Sequence, residues 1–288
     1  MTDKYKQAYL GLIVGVTAVS SAAIFVRLAT APSSVIAAYR LIFTVLILSI
    51  PTFLFHRKEL KRVTLREWKY SFLSGVFLAF HFITWFESLK YTSVASSVVL
   101  VTLQPIFAML GIYIIFKQKI SLFGILGAVL ALTGSFIIGW GDFKIGGMAL
   151  YGDFLALIGA ILVTGYWLVG QSLRRNLSLF PYTFIVYSSS SLVLILYNLL
   201  FRFEMLTYDK KNWIIFFALA IIPTIMGHTL FNWTLKYINA ATVSTVNLAE
   251  PVGAAILAYY VLGEGVSMSQ IIGGIVILSG ILIYLKFK

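Results

Sequence analysis

Glu250 stands immediately before Pro251 in the middle of a long apolar run, and the same arrangement, with an amide in place of the acid, occurs earlier as Gln104-Pro105. An ionised side chain at membrane depth costs roughly 2.5 to 3.5 kcal/mol, so such a carboxylate must face protein or water. Proline has no N–H and leaves the carbonyl one turn earlier without its helical partner. A kinked helix carrying a carboxylate beside a free carbonyl is suited to holding a cation or an amine, and Glu250 is also a candidate carrier of a coupling proton. Gln104 cannot titrate, so only one of the two positions supplies an acid. Asn247 lies one turn before Pro251 and is placed to face the same space as Glu250.

A second set of candidates falls in two other apolar runs. His81 and Trp85 are four residues apart, hence on one helical face, with Glu87 close behind; His228, Asn232 and Trp233 occupy the matching later stretch. An aromatic face with a hydrogen-bonding neighbour can hold an organic ion through cation–π contact and directed polar bonds. Trp167, with Tyr166 beside it, is a further candidate for lining a pathway, against the plainer alternative of packing. Arg40 lies deeper inside an apolar run, where a salt bridge or an anion contact is open to it beside the plainer structural reading; Arg27 lies at a run's end, where snorkelling suffices. Arg40 and Glu87 are therefore candidate charge partners, and Pro105 and Pro251 candidate helix kinks.

The elements that must position these residues are long apolar helices. Over 288 residues the chain is 60% hydrophobic and only 11% charged, far from the balance of a soluble domain. Crossing the hydrocarbon core takes roughly 20 apolar residues. Ten such runs occur, near 8–28, 33–55, 68–88, 93–116, 120–140, 149–171, 179–201, 212–234, 240–262 and 267–285. The expected fold is all-α and integral to the membrane. The net charge of +12 sits in short clusters between the runs, which argues for membrane topology and against a nucleic-acid face.

Loop lysines and arginines give the orientation. With the N-terminus inside, fifteen fall on the inner side, among them Lys4, Arg57, Lys61, Lys117, Arg174, Lys236 and Lys288, and five on the outer: Lys90, Lys144, Arg202, Lys210 and Lys211. The bias places both termini in the cytoplasm and the protein in the plasma membrane. Trp68, Trp140 and Trp213 fall near run ends, where indoles favour the interface.

The chain also repeats itself at an offset of 146 residues: Leu89-Lys90-Tyr91 returns as Leu235-Lys236-Tyr237, Gln104-Pro105 as Glu250-Pro251, Ser121 as Ser267, Gly127 as Gly273 and Gly134 as Gly280. Five spans per half is an odd number, so the halves enter the membrane from opposite sides. Inverted repeats around a central cavity have two near-equivalent arrangements, one open to each side, which is the basis of alternating access.

The Leu-Lys-Tyr boundary followed by a mid-helix proline, the segment Asn247-Leu248-Ala249-Glu250-Pro251, the turn Gly263-Glu264 and the Gly-rich last run resemble the EamA domain of the drug/metabolite transporter superfamily. The first half departs from that pattern, with Gln104 for the acid and Lys117-Gln118-Lys119 for Gly-Glu-Gly. The resemblance implies two repeats, near 5–140 and 149–286. It further implies a ten-helix secondary carrier exporting amino acids or related metabolites, with a cavity lined by the third, fourth, eighth and ninth helices among others.

With no cysteine, disulfides and thiolate chemistry are excluded. Nucleotide-binding and zinc-protease motifs are also lacking, so no cofactor or metal is expected, and Ser188–Ser191 has no adjacent base. The expected partners are a small-molecule substrate, membrane lipids and a coupling proton, and the protein is a monomer or homodimer. An enzyme acting on a lipid-linked substrate and a channel are the alternatives.

Overall fold

The computed structural model describes residues 3–140, 147–263 and 265–287; Lys144, Glu264 and Lys288 lie outside these. Among the described residues, ten helices are long and apolar enough to cross a membrane: α1 Asp3–Leu28, α2 Ser33–Phe55, α3 Leu65–Tyr91, α4 Val94–Phe116, α5 Leu122–Gly139, α6 Gly147–Leu173, α7 Leu179–Leu200, α8 Lys210–Thr234, α9 Ala240–Val261 and α10 Met268–Phe287. A helix satisfies its backbone groups internally, which the hydrocarbon core requires. Many exposed residues on these helices are large and apolar, such as Leu54, Leu199, Ile275 and Leu282.

The repeat visible in the sequence is also a repeat of helix ends. Ser93 accepts the N–H of Ser96 at 3.0 Å and its mate Asn239 that of Thr242 at 2.9 Å, starting α4 and α9. Ser121 accepts from Gly124 at 3.0 Å and its mate Ser267 from Gln270 at 3.2 Å, starting α5 and α10. These short polar side chains satisfy N–H groups that the first turn leaves unpaired. Both α4 and α9 end in a left-handed residue, Lys117 with φ 54° and Gly263 with φ 70°.

The halves meet through equivalent contacts. α5 packs on α10, α3 on α6, α1 on α8, and α2 on α7. The α5–α10 contact is made by two glycine pairs exchanged between the repeats. A Cβ on Gly134 would lie 2.6 Å from the Gly273 carbonyl, and one on Gly273 the same distance from the Gly134 carbonyl. Gly127 and Gly280 are opposed in the same way. Small residues let the two backbones touch where lipid gives no hydrophobic driving force. α2 and α7 are tied at one end by Ser34 Oγ–H to Asn198 Oδ1, 2.6 Å, and at the other by Ser178, whose N–H and Oγ–H donate to Glu59 at 2.7 and 2.5 Å.

Four of the transmembrane helices are irregular. α1 is interrupted between Val19 and Ala22. α4 breaks after Val101 and resumes at Gln104; α9 breaks after Asn247 and resumes at Glu250. The sequence suggests kinks at Pro105 and Pro251; the structure has full breaks, because each proline sits at the start of a new helix, where its missing N–H costs nothing. α8 contains a π-helical stretch, Ala220–Thr229, with Pro223 inside it, a widening that frequently accompanies functional sites.

Candidate functional site

The breaks in α4 and α9 bring their polar residues together at the middle of the molecule. Gln104 and Glu250 are the first residues after the two breaks, and Asn247 joins them, its Nδ2 donating to Glu250 Oε2 at 2.8 Å and Gln104 Oε1 at 3.3 Å. All three side chains are buried. They border a closed cavity of about 20 Å³ that is also lined by Val19 and Ala22 of α1, His81 and Trp85 of α3, Val101 of α4, Val163 and Trp167 of α6, and His228 and Phe231 of α8. That volume holds about one water, and every residue lining it is at most 6% exposed, so the site is too small and too deeply buried to admit a solute in this arrangement.

Its walls follow the repeat. Trp85 and Phe231 are mates at the 146-residue offset, as are Val101 and Asn247, and Gln104 and Glu250. The departures from symmetry supply the chemistry, since the second half contributes both the amide Asn247 and the acid Glu250 where the first has valine and glutamine.

The hydrogen-bonding capacity of the cavity is not used up internally. His81 Nδ1 lies 2.9 Å from the Gly159 carbonyl; a carbonyl only accepts, so the proton is assigned to Nδ1 and Nε2 is left for a ligand. Its ring stacks on Trp85 at 5.7 Å between centroids, and Trp167 meets Phe231 edge-on at 5.8 Å. The indole N–H groups of Trp85 and Trp167, His228 Nδ1 and Asn247 Oδ1 are buried without a partner among the described residues. Leaving a buried polar group unpaired costs about 1–3 kcal/mol, and the residues lining this cavity include two indole donors, an imidazole and an acid, groups whose chemistry can hold a polar group.

Of the residues singled out from sequence, His81, Trp85, Gln104, Trp167, His228, Asn247 and Glu250 are brought together here. Asn232 is buried beside the cavity, its Nδ2 donating to the Tyr166 and Tyr187 hydroxyls and to the His228 carbonyl. Glu87 is apart from it, paired with Lys90 at 2.9 Å. Arg40 is wholly buried, outside the cavity wall. Val19, Ala22, Val101, Val163 and Phe231 complete the lining; nothing in an apolar run distinguishes such residues from lipid-facing ones, although Phe231 is reachable as the repeat mate of Trp85.

A ten-helix membrane protein of two inverted repeats, closed around a polar site at their junction, has the architecture of a transporter. The chain belongs to the EamA-like transporter family, which matches residues 6–140 and 150–286. Similar proteins include an uncharacterized transporter of Archaeoglobus fulgidus, 22% identical over 71% of this chain and 73% of its own length. Another, of Bacillus subtilis, is 23% identical over 72% of this chain and 66% of its own. A solved crystal structure superposes with a TM-score of 0.79 at 17% identity, covering 96% of each chain, and shares the fold.

Proposed function

We propose that this transporter is a secondary carrier of small amphipathic solutes, amino acids or related metabolites, which it exports from the cell by rocking its two repeats about the closed cavity. The observation that carries this reading is the buried site itself. Unpartnered indole donors and aromatic walls surround Glu250, an acid at the junction of two inverted repeats, where one solute can be reached from either side in turn. The carboxylate suits an amine, the indoles suit an oxygen acceptor, and the aromatic walls suit the apolar part of the guest. The carrier lies in the plasma membrane with both termini in the cytoplasm, an orientation supported by the distribution of loop lysines and arginines. Glu250 is the group proposed to exchange a proton for the solute.

The test is counterflow in proteoliposomes with a mixture of labelled amino acids and nucleoside-type metabolites, alongside Glu250→Gln. Saturable counterflow in the wild type that is lost in the variant supports both the carrier and the role of Glu250. Counterflow that survives the substitution keeps the carrier and removes Glu250 from its cycle. Absence of counterflow across the panel from folded protein counts against the reading.

A further inference from the structure

Arg40 is 0% exposed, within the membrane-spanning part of α2. Its Nε–H donates to Thr224 Oγ1 of the π-helical stretch at 2.5 Å, and its guanidinium carbon lies 4.2 Å from the centre of the Phe82 ring. Both Nη1 and Nη2 are buried without an acceptor among the described residues. A buried cation without direct acceptors is costly; Glu250 acts on the charge of Arg40, but among the described residues it does not accept a hydrogen bond from the fork, whose Nε bond and ring contact hold it in place. Phe82 connects this group to the cavity: His228, which lines it, meets the same ring edge-on at 5.4 Å, and its Nδ1 is also unpartnered.

We propose that Arg40 is a carboxylate-binding residue of the solute site, reached when Phe82 and His228 separate, and that the transported solutes carry a carboxylate. Two parallel N–H groups on a planar fork match the two oxygens of a carboxylate, a geometry that lysine cannot reproduce. The complete burial of Arg40 keeps it from lipid headgroups, and Glu250 acts on its charge without accepting from its Nη1 or Nη2, which leaves the fork for an anion carried by the solute. The inference rests on the carrier reading and adds a second pole to it, opposite in charge to Glu250.

A binding measurement separates the two. Thermal unfolding of the purified full chain is followed with 3-phenylpropanoate, L-phenylalanine and 2-phenylethylamine, probes that share an aromatic body suited to the cavity walls and differ in their charged groups. Both carboxylates are expected to raise Tm, as any ligand of the folded state does, and the amine to raise it less than L-phenylalanine. Arg40→Met is expected to abolish the shift from 3-phenylpropanoate; it removes the donor to Thr224, whose hydroxyl still donates to the Leu219 carbonyl at 2.7 Å, so its ligand-free Tm is measured first as the reference for the shift. If Arg40→Met does not fold, Arg40→Lys decides: at least a tenfold increase in the 3-phenylpropanoate concentration needed for half the shift is expected. A wild type insensitive to both carboxylates, or variants with an unchanged response, overturns the assignment. Counterflow, measured independently, decides whether the protein is a carrier.

Discussion

Asn247 Nδ2 lies 2.8 Å from Glu250 Oε2, spanning the break in α9 from the last residue of one helix to the first of the next. The same amide reaches Gln104 of the other repeat at 3.3 Å, so one side chain holds together the two positions that the duplication made equivalent. Asn247→Ala leaves Glu250 and Gln104 without this buried donor and is expected to cost about 1–3 kcal/mol of stability, read from equilibrium unfolding in detergent. Glu250→Gln in the same background is expected to restore part of that loss, because an amide tolerates the missing donor better than an acid; a cost equal in both backgrounds would show that the pair is uncoupled.

The indole N–H groups of Trp85 and Trp167 have no hydrogen-bond partner among the described residues. Trp167→Phe therefore removes a donor that the empty protein does not use. The expected result is a loss of stability of about 1–3 kcal/mol, from the cavity the smaller ring leaves at this buried position, together with at least a tenfold loss in counterflow affinity. Unaltered affinity would assign Trp167 to packing alone.

The glycine pairs of α5 and α10 leave no room for a side chain. A Cβ on Gly134 would stand 2.6 Å from the backbone at both Gly273 and Ile277, atoms that cannot move without separating the helices. Gly134→Ala is expected to destabilise by about 1–3 kcal/mol. Gly265→Ala, at a position with no atom within 4 Å of the added carbon, serves as the silent control, and equal melting of the two variants would contradict the close contact.

Glu59, in the short helical turn Arg57–Leu60 after α2, loses some charge preference to burial, but the hydrogen bonds from the Ser178 hydroxyl and N–H, with a contribution from His56, outweigh this and hold its carboxyl below the ordinary 4.5. A group whose folded pKa is depressed contributes stability that is complete above its unfolded value and lost as pH falls through the folded one. The wild type is thus expected to lose stability relative to Glu59→Gln as the pH drops below about 4.5, with little difference between their pH slopes at neutrality. Glu59 is partly exposed, with 33% of its side-chain area accessible, so the effect is small. Parallel profiles from pH 7 to acid would remove Glu59 from this linkage.

The ten spans were legible because lipid imposes a simple rule on composition, and the fold could be read from apolar length and an offset in Leu-Lys-Tyr and Gln/Glu-Pro. The breaks were only half legible. Pro105 and Pro251 mark the place, but whether a helix bends or restarts depends on what receives the freed backbone groups, which is a matter of neighbours. Polar residues at membrane depth pointed to His81, Gln104 and Glu250, since each demanded a partner. Arg40 made the same demand, and only the packing of Thr224 and Phe82 around it shows which of its N–H groups are left over. The π-helical stretch of α8 had no sequence signal beyond Pro223.

The mismatch between Gln104 and Glu250 bears on kinetics. In the proposed carrier cycle, two identical repeats would exchange conformations and give inward-open and outward-open forms of equal energy. One acid on one half is among the differences that remove that degeneracy, so a carrier of this kind rests longer on one side. Its half-saturation concentrations must then differ between the two faces. For uncoupled movement the ratio of maximal rate to half-saturation remains equal in both directions, because equilibrium permits no other result. The asymmetry tunes how the carrier responds to supply on each side without letting the protein choose the direction of net flow.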